Sequence, residues 1–280
     1  MKTSLDHLPA KKQAQVRALG ELIRAEAKVE MVILFGSYAR GDWVEDPVGD
    51  YFSDLDVLVI VKSRTLVDKL DLWSKIEDRA RRITRPTSLS LIVHDIKDVN
   101  GQLEKGFYFF SDIKKEGIVI YDSGQSELAE AKERTPAERK AQAQLWFDQW
   151  FESANEFYGY FEFGLGKGAT KSAAFQLHQA TERLYHCVLL VLTAYKPKVH
   201  NLEDLGKRAG DLHPSLRHVF PRGTPEDDRL FKLLKRAYVD ARYDPTFTIT
   251  REELDAIAVH VRELRSRVEA VCRERIDTMG

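Results

Sequence analysis

Cysteine is scarce: the 280 residues contain two, Cys187 and Cys272, far apart. That spacing supports neither a disulfide framework nor a Cys-x-x-Cys metal site. Long apolar runs are missing, and no stretch approaches the roughly 18 uncharged apolar residues of a membrane span. The opening, MKTSLDHLPAKKQAQ, has no apolar run of the secretory type. Excess charge is missing too. Lys and Arg number 43 against 44 Asp and Glu, a net charge of -1. That excludes a dedicated non-specific nucleic-acid binder, although a local basic groove stays open. There is no internal repeat and no low-complexity segment. The expectation is a cytoplasmic protein in a reducing compartment with no membrane partner. With 43% hydrophobic residues the chain is long enough for two ordinary domains.

What is present centres on residues 31–61, MVILFGSYARGDWVEDPVGDYFSDLDVLVIV. Met31 to Phe35 reads as a buried strand, broken by Gly36-Ser37. Asp54 and Asp56 flank Leu55 at the mouth of a second apolar run, Val57 to Val61. Side chains two apart on a strand share a face, so both carboxylates can converge on one divalent cation while Leu55 enters the core. A Gly-Ser turn at a helix start offers backbone N–H groups to a phosphate. Acid pair and phosphate cradle together suit metal-assisted phosphoryl or nucleotidyl transfer.

Around this stretch the periodicity predicts a helix over residues 5–27 and an acidic loop over 42–53 carrying Trp43, Pro47 and Gly49. A further helix is predicted over 65–83 with Leu66, Leu70, Leu72, Ile76 and Ala80 inward, stopped before Pro86. Ser88 to Val93 alternates as a strand. A helix over 99–105, the aromatic run Phe107 to Phe110 in the core, a helical turn at 111–116 and a short strand at 118–121 complete an α/β domain, residues 1–122.

Residues 123–134 are polar and read as a linker. Beyond them strand signals vanish. Thr135-Pro136-Ala137-Glu138, Thr224-Pro225-Glu226-Asp227 and Thr250-Arg251-Glu252-Glu253 are helix starts, and Asn201 caps a shorter helix. Residues 135–280 are therefore expected to be an all-α bundle. Its long helices run to about Phe163, over 170–195, to about Arg242 and to about Ile276.

The run Gly36-Ser37-Tyr38-Ala39-Arg40-Gly41-Asp42 followed by Asp54-Leu55-Asp56 resembles the nucleotidyltransferases of the DNA polymerase beta superfamily, over roughly residues 5–121. The resemblance implies a small mixed sheet. It also implies phosphate contacts from Gly36 and Ser37, a positioning or phosphate role for Arg40, and Mg²⁺ (or Mn²⁺) held by Asp54 and Asp56 with an NTP. Two departures stand out. Residues 38–53 are a longer insertion than the family carries, read as a surface loop or as a substrate-side lid bearing Trp43. The third carboxylate of the family falls at Ser90, which can touch nucleotide but cannot serve as anion or base. His94 shares the parity of Ser90 and is a substitute base; Asp95 has the wrong parity.

The second half resembles a HEPN domain through Phe175 to Arg183, His200-Asn201-Leu202 and Ala241-Arg242-Tyr243. Many such domains are ribonucleases with an Arg and a His separated by four to six residues. Arg183 to His186 is too close and Arg251 to His260 too far, so a ribonuclease centre is not expected. Lys235, Arg236, Arg242 and Tyr243 cluster at one helix end, either as a solvated cap or as a phosphate contact. His178 and His186, eight apart, are too distant to chelate and are expected in the core or an interface, and the Trp/Phe face of the first long helix likewise. The resemblance implies a homodimer. Two functions follow from it: transfer of NMP from an NTP to an acceptor (a small hydroxyl compound, an RNA end or a protein side chain), or a sensor that binds nucleotide without turnover.

Overall fold

The structure is a computed structural model describing residues 1–46, 51–197 and 199–279. Pro47 and Gly49 of the acidic loop lie outside the described residues. The chain divides into two compact units, Met1–Glu133 and Arg134–Gly280.

In the first unit, helix α1 (Ala10–Glu26) leads into strand β1 (Val29–Phe35), and a five-residue helix α2 (Gly36–Arg40) follows at once. The short pair β2 (Glu45–Asp46) and β3 (Tyr51–Phe52) precedes β4 (Leu55–Val61), then α3 (Arg64–Val67), α4 (Leu70–Thr84), β5 (Leu89–Asp95), α5 (Ile96–Glu104), α6 (Tyr108–Glu116) and β6 (Ile118–Asp122). The main sheet has the order β5-β4-β1-β6, with β1 antiparallel to β4 and β6, and β4 parallel to β5. It is a mixed four-stranded sheet, as the α/β reading requires. Val32, Leu34, Val57, Val59 and Val61 alternate onto one face. There they share a core with Val16, Leu19 and Ile23 of α1 and with Trp73, Ile76 and Ala80 of α4. The other parity, Ile33, Leu58, Ile60 and Ile92, is buried as well, and α5 covers β4 and β5.

The helix expected over 65–83 is broken at Asp68–Lys69. The Trp73 indole donates to the Leu66 carbonyl at 2.7 Å, which fixes the break. The break turns α4 so that Trp73, Ile76 and Ala80 face the core, and Leu70, expected inward, is 76% exposed. The expected linker also differs from expectation. Ser123 N–H donates to the Glu30 carbonyl and Lys132 N–H to the Leu103 carbonyl. Asn100 bonds both Glu127 and Ala129. These bonds satisfy its backbone against the first unit, so residues 123–132 belong there rather than forming a tether.

The second unit is helical: α7 (Pro136–Gly166), α8 (Thr170–Thr193), α9 (Leu202–Leu212), α10 (Pro225–Arg236), α11 (Asp240–Tyr243) and α12 (Arg251–Asp277). Capping boxes close at Thr135/Glu138 and Thr250/Glu253, and the Thr224 hydroxyl accepts from Asp227 N–H. α8 is the central helix, packed by every other helix of this unit. Its Leu177, Leu184, Val188 and Val191 meet Phe147 and Phe161 of α7 and Ile257, Val261 and Leu264 of α12. The helix expected to reach Arg242 stops at Arg236, and α11 restarts it at Asp240. Among the described residues no helix is long and apolar enough to cross a membrane.

Candidate functional site

The carboxylate pair lies where the sheet hands over to α2. Asp54 is buried just before β4, and Asp56 is the second residue of that strand, opposite Phe35 of β1 and Ser90 of β5. Gly36, the first residue of α2, has φ +73°, a left-handed conformation that costs a side-chain-bearing residue about 1–2 kcal/mol. A Cβ there would lie 2.3 Å from Asp56 Oδ2. Only glycine lets the turn approach the carboxylate this closely. The first N–H groups of α2 have no intrahelical partner, so backbone donors and a carboxylate adjoin. Ser37 follows on the first turn, its carbonyl accepting from Gly41 N–H at 2.8 Å.

Lys12, Tyr38, Glu45 and Thr87 brace this arrangement. The Tyr38 hydroxyl donates to Glu45 Oε1 at 3.0 Å, and Lys12 Nζ lies 2.9 Å from the same oxygen. Lys12 also donates to Thr87 Oγ1 and lies over the Tyr38 ring. Burial pushes the Tyr38 hydroxyl pKa well up, and the charges of Glu45 and Asp54 add to that. Lys12 holds the Glu45 carboxyl below its usual range against a smaller opposing effect of burial, with Tyr38 helping. Trp43 stacks on Tyr38 with ring centroids 5.4 Å apart and planes at 12°. His7 Nε2 donates to the Tyr38 carbonyl at 2.7 Å. Trp43 is thus packed on the Tyr38 ring of α2. The sequence reading missed Lys12 and Thr87, because a lysine on an amphipathic helix carries no signal of where its ammonium goes.

The other expected residues fall as follows. Ser90 is opposite Asp56 in the parallel register, and its hydroxyl is buried with no hydrogen-bond partner among the described residues. His94 pairs in register with Ile60, four residues past Asp56, hence about 13 Å along the strand. Its Nδ1 meets Asp98 Oδ2 at 2.7 Å. The structure therefore removes His94 as a substitute base. Asp95 caps α5 through Asp98 N–H. Arg40 is exposed and paired with Asp42 at 3.1 Å.

In the second unit the basic cluster is compensated. Lys235 pairs with Glu203, and Arg236 with Asp240 and Asp244. Arg242 donates to the Tyr238 carbonyl at 2.7 Å and stacks on Phe175, Tyr238 and Tyr243. Tyr243 is exposed. Lys235, Arg236, Tyr238 and His200 line a groove of about 380 Å³. His178 and His186 are buried and both face Glu182, at 3.5 and 3.6 Å, with His200 at 3.1 Å. Taken in chain order, Arg before His, one pair does have four residues between its members, Arg208 and His213, which the sequence reading overlooked. Residues five apart sit about 140° apart round a helix, and His213 leaves α9 with extended backbone to bond Ser215. The two do not share a face.

Among the described residues no group of three or more His, Cys, Asp or Glu could hold a metal ion. Asp54 and Asp56 give two hard oxygen donors, the second of them beside the Gly36 turn. That suits Mg²⁺, which keeps waters and takes further oxygens from bound phosphates. The family model described as Polymerase beta, Nucleotidyltransferase matches residues 18–126, and the HEPN domain model matches residues 147–271. No curated protein matches the chain.

Proposed function

From a chain that joins a polymerase beta-type nucleotidyltransferase domain to a HEPN domain, we propose a Mg²⁺-dependent nucleotide site at Asp54, Asp56, Gly36 and Ser37. The observation that carries this reading is the close approach of Gly36 to Asp56, which sets phosphate donors beside a carboxylate. Asp54 and Asp56 would hold the cation, and the first turn of α2 would hold the phosphates. Bound Mg²⁺ (or Mn²⁺) supplies charge neutralisation on the triphosphate. Transfer would then be in-line attack of an acceptor oxygen on the α-phosphorus, with pyrophosphate leaving. The acceptor is a small hydroxyl compound, an RNA end or a protein side chain. The HEPN resemblance argues for a homodimer.

A second reading has its own support: a sensor that binds without fast turnover. Ser90 stands opposite Asp56, where the family places its third carboxylate, and it brings neither charge nor base.

The test is incubation with Mg²⁺ and each α-labelled NTP, with and without RNA. We expect Mg²⁺-dependent nucleotide binding that the Asp54→Asn/Asp56→Asn pair abolishes, with slow pyrophosphate release. Ser90→Asp should raise the release rate. Binding that ignores both the metal and the double substitution would refute the site. Fast release by the native chain would refute the sensor reading.

A further inference from the structure

Strands β4 and β5 run parallel, with Asp56 in register with Ser90. Paired residues of neighbouring strands put their side chains on the same face, with the strands about 4.8 Å apart. The Ser90 hydroxyl therefore lies on the face of the sheet that carries Asp56. Ser90 is only 7% exposed, and its Oγ has no hydrogen-bond partner among the described residues. Buried polar side-chain atoms of native proteins are nearly always paired. A hydroxyl both donates and accepts, so this one is matched to something that enters the site. A water on a bound cation has that chemistry.

The carboxylates decide how many cations the site can hold. Mg²⁺ is bound by one or two carboxylates together with substrate phosphates and retained waters. Asp54 and Asp56 meet that need once. A centre with two cations about 3.5–4 Å apart sets like charges against each other and calls for more anionic ligand. Among the described residues no third acidic group joins the pair. Glu45 is engaged by Tyr38 and Lys12, and Asp42 pairs with Arg40. Asp95 caps α5, and His94 meets Asp98 towards the far end of β5. The neighbour of Asp56 on β5 is Ser90, which is neutral.

On the basis of the nucleotide site proposed above, we propose that Asp54 and Asp56 take a single divalent cation per nucleotide. Ser90 is the positioning residue of that cation, holding one of its waters through the hydroxyl.

The experiment dialyses the full chain to equilibrium against Mn²⁺ and, in turn, the α,β-methylene analogues of ATP, GTP, CTP and UTP, which cannot release pyrophosphate. Electron paramagnetic resonance counts the Mn²⁺ and absorbance counts the nucleotide. About one Mn²⁺ per retained nucleotide is expected. Ser90→Asp should raise the ratio to about two. Ser90→Ala should keep the ratio and weaken Mn²⁺ binding about tenfold or more. Ser90→Thr, which keeps the hydroxyl, should bind as the native chain does. Thermal melting checks that each variant is folded, and Ser90→Ala with Ser90→Thr carries the test if Ser90→Asp does not fold. Two Mn²⁺ per nucleotide in the native chain, or native Mn²⁺ affinity in Ser90→Ala, overturns the single-cation assignment and leaves the nucleotide site standing. A native chain that retains no analogue with Mn²⁺ present refutes the site as well.

Discussion

At Gly36 two constraints coincide, a left-handed backbone and a carboxylate oxygen within 2.3 Å of any added Cβ. Gly36→Ala should therefore lower stability by about 1–2 kcal/mol. It should also weaken Mg²⁺–nucleotide binding at least about tenfold, because the Asp56 carboxylate must move; thermal melting and calorimetry read the two effects separately. Lys12 poses a different question. Its ammonium is nearly buried, but Glu45 is close to half exposed, so solvent screens the pair. A double-mutant cycle of Lys12→Met and Glu45→Gln should give a coupling of no more than about 1 kcal/mol. Nucleotide affinity should fall further than that coupling accounts for, since Tyr38 and the turn behind it lose their brace. Neither effect was legible in the sequence. Gly36 was visible as a turn residue, whereas its proximity to Asp56 and the reach of Lys12 to Thr87 are products of tertiary packing.

At the scale of elements, α8 is the most sensitive to pH. Burial favours the protonated form of Glu182, yet the three histidines that face it, His178, His186 and His200, outweigh it and hold the carboxyl well below its usual range. Burial lowers the pKa of His186, against the pull of Glu182 and with the help of Lys196 and His200. Both folded pKa values lie below their unfolded ones. The stability they contribute is full above the unfolded value and is lost as pH falls through the folded one. Melting temperature should decline once pH drops below about 6.5, the ordinary histidine value, and decline again below about 4.3, the ordinary glutamate value. Glu182→Gln removes a charged acceptor and should cost about 1–3 kcal/mol at neutral pH, and it should blunt the lower part of that decline. For α12, Thr250→Ala removes half of a capping box and should cost about 1 kcal/mol in thermal melts. Caps of this type are local chemistry, so the sequence showed the starts of α7, α10 and α12. The break between α3 and α4 depends on a Trp73–Leu66 bond that no local pattern encodes.

At the scale of the molecule, each unit has its own hydrophobic cluster, one behind the sheet and one around α8. Expressed separately, residues 1–133 and 134–280 should each unfold cooperatively in circular dichroism. A boundary drawn at residue 122 should leave the first piece less stable, because Glu30, Asn100 and Leu103 lose the partners that 123–132 provide. The two-part architecture was readable from period-two strands giving way to capped helices. The segment between the parts was misread because its polar composition resembles a tether, while its backbone bonds are non-local. The braces on Tyr38 bear on how this protein is trimmed for study. The family match begins at residue 18, yet His7 and Lys12 precede it, and Lys2 is hydrogen bonded to Gly117 and Val119 beside β6. A chain shortened to the matched boundary would keep every motif residue and is still expected to lose the nucleotide binding proposed for it, because the braces on Tyr38 precede that boundary.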